Sequence, residues 1–196
     1  MKKIAITGGI GSGKSTVLTI LKEKGYPVFS CDEIYQKVIR DKAYIRQVGN
    51  IFPKAIKNEK IDKKILAEIV FSDDINRKKL ETIAHPLIMN ELNKEMSALN
   101  NDISFAEVPL LFEGGYTSFF DGIIVVKRNK DLRVEAVKKR DNLEKNAIEK
   151  RISAQFNYDS SENECLLKDK KIKILMNNGS MEVLKEQINF ILNEIV

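Results

Sequence analysis

The stretch Ile4-Ala5-Ile6-Thr7-Gly8-Gly9-Ile10-Gly11-Ser12-Gly13-Lys14-Ser15-Thr16 decides how this chain is read. It begins as a short apolar strand, is cut by glycines, and enters a segment where Val17, Leu18 and Leu21 recur at helical spacing up to Gly25. Gly8-x-x-x-x-Gly13-Lys14-Ser15 satisfies the phosphate-loop pattern, and a strand before it with a helix after it is the context that pattern needs. Each part has a physical purpose. Glycines let the backbone wrap tightly enough for successive N–H groups to point at phosphate oxygens. The helix opening near Lys14 turns its positive dipole end and unpaired N–H groups on the same anion. Lys14 can reach the β- and γ-phosphates, and the Ser15 hydroxyl can ligate Mg²⁺. Gly9, Gly11, Ser12, Gly13, Lys14, Ser15 and Thr16 are therefore the expected contacts to a nucleoside triphosphate, taken as MgATP, with Ser15 as the metal ligand.

Working outward, Pro27–Cys31 reads as a second strand, with Asp32 just past its end. The pattern is then helical to about Asn100, and Pro86 should kink or split the long stretch from Asp73 to Leu99. Near-continuous apolar runs at Ile103–Val108 and Gly122–Val126 read as parallel strands covered on both faces. Helices near Lys130–Asp141 and Glu144–Phe156 follow, then a fifth strand at Lys171–Met176 and a closing helix at Met181–Ile195. Strands alternating with helices predict an α/β, doubly wound fold: a five-stranded parallel sheet flanked by helices. The core is expected at about 1–31, 101–127 and 170–196, with a helical substrate-binding insertion at about 32–100 and a lid at about 128–160.

Composition narrows the function. With 43% hydrophobic and 31% charged residues over 196 positions, the chain fits one globular domain with small insertions. No apolar run approaches the ~18–20 residues of a membrane span, so no membrane partner is expected. The apolar start is too short for a signal peptide, and a cytoplasmic location is expected. Net charge is +5, but the lysines are scattered among glutamates without aromatic-basic interleaving, which predicts no nucleic-acid partner. Cys31 and Cys165 make neither a disulfide framework nor a zinc site.

A phosphate loop does not choose among kinase, GTPase and motor. Asn129-Lys130-Asp131 approaches a guanine-reading pattern and fails at Leu132. Asp32, at the carboxyl end of the second strand, stands where ligands bind in open α/β sheets. Position alone leaves two readings open: a base for an acceptor hydroxyl, or the N-cap of a helix starting at Glu33.

The chain resembles the dephospho-coenzyme A kinase family. The resemblance rests on Thr7–Thr16, Cys31-Asp32-Glu33-Ile34, Ile61-Asp62-x-x-x-Leu66, Val70-Phe71 and Leu80-Glu81-x-Ile83-x-His85-Pro86-Leu87-Ile88. Val108-Pro109-Leu110-Leu111-Phe112-Glu113, Lys139-Arg140-Asp141, Arg151-Ile152-x-x-Gln155 and Asn177-Asn178-Gly179 complete it. It implies a phosphate-loop kinase fold and transfer of the ATP γ-phosphoryl group to the ribose 3′-hydroxyl of dephospho-CoA. It also implies Asp32 as general base, Arg140 as a lid arginine reaching the ATP phosphates or adenine, and Asn178 near the adenine. Asp32, His85, Leu110 and Glu113 would meet the acceptor, with Glu107 and Glu113 candidates for orienting Mg²⁺-bound water or substrate. His85, the single histidine, reads otherwise as a packing or capping residue. The chain departs from the family pattern at Lys63, Arg133, Ala136 and Ile172, which touches the lid and the adenine region. The rivals are a nucleoside or nucleotide kinase of the same fold and, in another class, an ATP-binding regulatory module. Oligomeric state is not legible.

Overall fold

The computed structural model describes residues 1–195. Met1–Val28 together with Asn100–Val196 form one unit and Phe29–Leu99 a second.

In chain order the elements are β1 (Lys2–Thr7), α1 (Lys14–Glu23), β2 (Val28–Ser30), α2 (Cys31–Val38) and α3 (Lys42–Ile51). Next come β3 (Ile56–Lys57), β4 (Lys60–Ile61), α4 (Lys63–Ser72), α5 (Asp74–Ser97) and β5 (Ile103–Glu107). The chain closes with β6 (Gly122–Lys127), α6 (Lys130–Asp141), α7 (Lys145–Ser153), α8 (Glu164–Leu167), β7 (Ile172–Met176) and α9 (Met181–Ile195). Five strands form the main sheet in the order β2-β5-β1-β6-β7, and β1 pairs in parallel with both β5 and β6. The expected fold class stands. β1 is central because its residues are apolar on both faces: Ile4, Ala5 and Ile6 are all buried. Below it, Val17, Ile20 and Leu21 of α1 and Leu184, Ile188 and Ile191 of α9 close one core with Phe105 and Leu175. Each such aliphatic side chain contributes about 1.5–3 kcal/mol on leaving water.

This order places a topological switch between β1 and β6. The chain leaves β1 through α1 toward β2, and leaves β6 through α6 toward β7 on the opposite side. Connections that diverge from neighbouring parallel strands open a crevice at their carboxyl ends. Gly8 and Arg128 flank that point, each the first residue past its strand.

In the second unit, α5 runs alongside α2, α3 and α4. Tyr44, Val48, Leu66, Leu92 and Met96 are among the side chains buried there. All four helices start on a side-chain cap: Ser30 for α2, Asp41 for α3, Asp62 for α4 and Asp73 for α5. Each satisfies N–H groups that the first turn leaves open.

Three local expectations change. The segment up to Asn100 is not wholly helical, because β3 and β4 pair as an antiparallel hairpin. Asn58 and Glu59, its two loop residues, both have positive φ (49° and 59°), as a tight hairpin turn demands. Pro86 does not split its helix, since α5 continues through it for 24 residues. Pro86 and Thr82 are both exposed, so the Thr82 carbonyl that loses its helical partner faces water. Cys31 belongs to α2 rather than to the second strand, and Ser30, not Asp32, is the N-cap.

Candidate active site

The phosphate loop is best understood from its carbonyls, because a loop that offers N–H groups inward must turn its C=O groups outward. Between Gly8 and Ser12 every outward carbonyl is held. The Lys14 ammonium folds back to donate to the oxygens of Gly8 (2.9 Å) and Gly9 (3.3 Å). Arg133 Nε of α6 donates to Ile10 O (2.9 Å), and Arg128 Nη1 reaches Gly11 O at 3.4 Å. Asn177 Nδ2, just past β7, donates to Ser12 O (2.8 Å). Gly13 caps α1 with φ 97° and has no side chain to cap with, and its carbonyl accepts the N–H groups of Thr16 (3.0 Å) and Val17 (3.2 Å). Only glycine serves there: the backbone is left-handed, and a Cβ would lie 2.1 Å from Asn177 Nδ2. Two guanidinium groups and an amide thus hold the loop from elsewhere in the chain, and together with Lys14 the two arginines add positive potential at an anion site. Ser15 is exposed in the first turn of α1.

A wall of aromatic rings stands beside the loop. Phe112 stacks on Phe156 with centroids 4.6 Å apart, and Tyr158 meets both edge-on. The Tyr158 hydroxyl lies 3.1 Å from Thr7 Oγ1, directly before the loop, and burial pushes its pKa up to about 12, so the phenol stays protonated. Glu113 does not point free into solvent: its carboxylate accepts the N–H of Phe156 at 2.8 Å. Leu110 is half-buried while its neighbour Leu111 is the core residue. Glu107 ends β5 in register with Ile6 of β1, two residues before Gly8.

Arg140 is exposed near the end of α6 and forks onto Asp141 through Nε (2.6 Å) and Nη2 (2.9 Å). This pairing, more than its attraction to Glu107, holds the guanidinium above its ordinary range. The loop itself is met by Arg133 and Arg128. Asn178 pairs with Asn129 at both ends of its amide, accepting from the backbone N–H at 2.8 Å.

In the second unit Asp32 occupies the first turn of α2, exposed, with its N–H donating to Ser30 Oγ. The cap role is thereby filled, and its carboxylate sits where a helix N-terminus favours negative charge. His85 is half-buried in α5, and burial lowers its pKa against the raising effect of Glu81. Lys63 donates to Gln36, and Asp62 is both a helix cap and an ion-pair partner of Lys57 at 3.0 Å.

Among the described residues no three His, Cys, Asp or Glu side chains gather into a cation cage. A divalent ion at this loop would therefore draw most ligands from nucleotide oxygens, with Ser15 as a neutral protein ligand, which is the binding style suited to Mg²⁺.

Comparison with known proteins now bears on the geometry. A family model described as dephospho-CoA kinase matches residues 2–182. The chain belongs to the dephospho-CoA kinase family. A dephospho-CoA kinase of Oceanobacillus iheyensis is 36% identical over 199 residues, spanning 97% of this chain and 96% of that one. The crystal structure of TT1252 from Thermus thermophilus has a TM-score of 0.81 and 34% identity, covering all of this chain and 98% of that one. A dephospho-CoA kinase from Campylobacter jejuni has a TM-score of 0.69 and 30% identity, covering 98% and 96%.

Three residues at the loop, Arg128, Arg133 and Gln155, were not assigned a role from sequence, and Asn177 was read only with Asn178 and Gly179 in the adenine region. Gln155 and Asn177 lie inside motifs shared with the dephospho-CoA kinase family, and Arg133 stands out as a departure from its pattern. Arg128 carried a signal of position alone, as the first residue past an apolar strand.

Proposed function

We propose that this chain phosphorylates the ribose 3′-hydroxyl of dephospho-CoA with ATP, releasing ADP and coenzyme A. The observation that carries the reading is the anchoring of the Ile10, Gly11 and Ser12 carbonyls by Arg133, Arg128 and Asn177, in a chain belonging to this kinase family. Such anchoring makes the loop a preformed anion receiver, the part that phosphoryl transfer needs most, since it is catalysed chiefly by positioning and charge.

In this reading Gly9, Gly11, Ser12, Gly13, Lys14, Ser15 and Thr16 together hold the β- and γ-phosphates. Lys14 exchanges its bonds to Gly8 and Gly9 for phosphate oxygens as nucleotide enters. Mg²⁺, held by Ser15 and the nucleotide, supplies charge neutralisation when bound. Asp32 accepts the 3′-hydroxyl proton, and its exposed carboxylate, relieved of capping, supports that role. Arg140 leaves Asp141 to meet the transferring phosphoryl group, where a planar fork bonds two oxygens. Its electrostatic coupling to Glu107 supports a place at the carboxyl edge. Glu113 fixes the Phe156 backbone through Oε1 and orients the acceptor or Mg²⁺-bound water. His85 and Leu110 contact the acceptor, and Asn178 borders the adenine. Residues about 32–100 serve as the acceptor-binding region and about 128–160 as the lid, in a cytoplasmic enzyme. No helix among the described residues is long and apolar enough to cross a membrane.

The test is ADP release with dephospho-CoA as acceptor, with mass detection of the product. The expected product is one phosphoryl group heavier than the substrate. Turnover of nucleosides or nucleoside monophosphates in its place would transfer the reading to another kinase of this fold. Nucleotide binding with no phosphorylated product from any of these acceptors would leave a binding module.

A further inference from the structure

Ile10, at the apex of the phosphate loop, is gripped at both polar ends of its backbone. Its N–H donates to Gln155 Oε1 at 2.7 Å, and its carbonyl accepts from Arg133 Nε at 2.9 Å. The two grips come from separate places: Arg133 from the first turn of α6, and Gln155 from just beyond the end of α7. The Arg133 contact is close over a wide front. A Cβ built on Gly9 would lie 2.2 Å from Arg133 Nη2, and the three nearest atoms all belong to that guanidinium. At Gly11 a Cβ would lie 2.6 Å from the Arg133 carbonyl oxygen. Gly9 and Gly11 are therefore the clearance that lets α6 lie against the loop.

Arg133 is only 8% exposed, and its one short hydrogen bond goes to a carbonyl while Asp159 and Tyr158 act on it through space. A cation kept in such surroundings costs desolvation energy that one neutral acceptor does not return. The guanidinium supplies both the grip on Ile10 and a positive charge beside the anion site.

From this geometry we infer that Arg133 and Gln155 act together as positioning residues for the nucleotide, a two-ended clamp on Ile10 that sets the phosphate loop and ties its shape to α6 and to the segment after α7. The inference rests on the phosphate-loop reading and not on the identity of the acceptor. Without either end Ile10 can swing, and the loop loses the arrangement that receives the phosphates. A clamp also differs from two separate contacts: once one end is released, the other has little left to hold.

The test is a double-mutant cycle read by calorimetric titration of MgADP, a probe that needs no acceptor. Arg133→Ala and Gln155→Ala are each expected to weaken ADP binding about tenfold, the scale of one lost charged or buried hydrogen bond. The double variant is expected to be no weaker than about twofold beyond either single one. KM for ATP should rise in parallel while KM for the acceptor stays put, a split that general loosening of the fold would not give. Gly9→Ala is a second route: Gly9 lacks positive φ, and the three atoms nearest the added methyl all belong to the guanidinium, which it pushes aside. It should weaken ADP binding to the same degree, and Gly9→Ala with Arg133→Ala should be no worse than Arg133→Ala alone. Undiminished ADP affinity in both single alanine variants or in Gly9→Ala, or losses that multiply in the double variant, would overturn the clamp. Absence of dephospho-CoA turnover, with ADP binding intact and coupled as described, would overturn the acceptor assignment and leave the clamp standing.

Discussion

Lys14 and Asp32 are single side chains on which the proposed chemistry turns. The Lys14 ammonium lies against the Gly8 and Gly9 carbonyls of the phosphate loop. Lys14→Ala is expected to lower kcat by ~10²–10⁴, the range for a charge-stabilising group. Asp32→Asn should lose a similar ~10²–10⁴ if the carboxylate is the base, and near-normal turnover would remove it from that role. His85 carries a different prediction. Burial holds its pKa below the ordinary value of about 6.5, so the folded chain binds the proton less readily than the unfolded chain. Stability contributed by the neutral imidazole is thus complete above about pH 6.5 and declines as pH falls toward the folded-state value. His85→Gln is expected to flatten the pH dependence of the unfolding midpoint below pH 6.5. An unchanged slope, measured by urea titration across that interval, would show that His85 does not link protonation to folding.

At the scale of elements, α2 deserves a test because its cap and its proposed base are neighbours. Ser30 Oγ accepts the Asp32 N–H, so the cap fixes the backbone that carries the carboxylate. Ser30→Ala should destabilise the chain by about 1 kcal/mol. It should also reduce kcat while leaving ADP affinity unaltered, since the phosphate loop is built from other residues. Parallel losses in kcat and ADP affinity would contradict this division. The same element shows where sequence reasoning misplaces a role. An aspartate after a strand is a good cap, but the serine two residues earlier occupies the extended backbone position first (φ −129°, ψ 131°). The hairpin of β3 and β4 escaped because its strands have two residues each and its turn, Asn58-Glu59, lacks the glycine that marks such turns. Asn58 was the available signal. Helices α6 and α9 were legible to their ends because a strand and a polar break precede each one. The loop residues were legible from local pattern alone. Its anchors Arg128, Arg133 and Asn177 were not, because their roles depend on strand order across more than a hundred residues.

For the molecule as a whole, ligand binding and folding are one account. Nucleotide that binds only the folded loop raises stability by about 2.7 kcal/mol at a concentration 100 times its Kd. For a chain of this size that corresponds to roughly 5–10 °C in the melting midpoint of the unit holding the loop. Scanning calorimetry with MgADP should show this shift, and Lys14→Ala should reduce it. A shift caused by any polyanion, with no preference for nucleotide, would count against a dedicated nucleotide site.

The bond from Asn177 to Ser12 spans 165 positions in the chain. During synthesis β1 emerges first, yet its partner β5 begins only at Ile103 and the amide that holds Ser12 arrives after β7. A nascent chain therefore carries its glycine loop through the synthesis of the next 165 residues without the frame that makes it a receptor. Nucleotide can stabilise the loop only after the chain has passed Asn177. Chains released before residue 177 should consequently be invisible to nucleotide affinity resin, while full-length chains are retained.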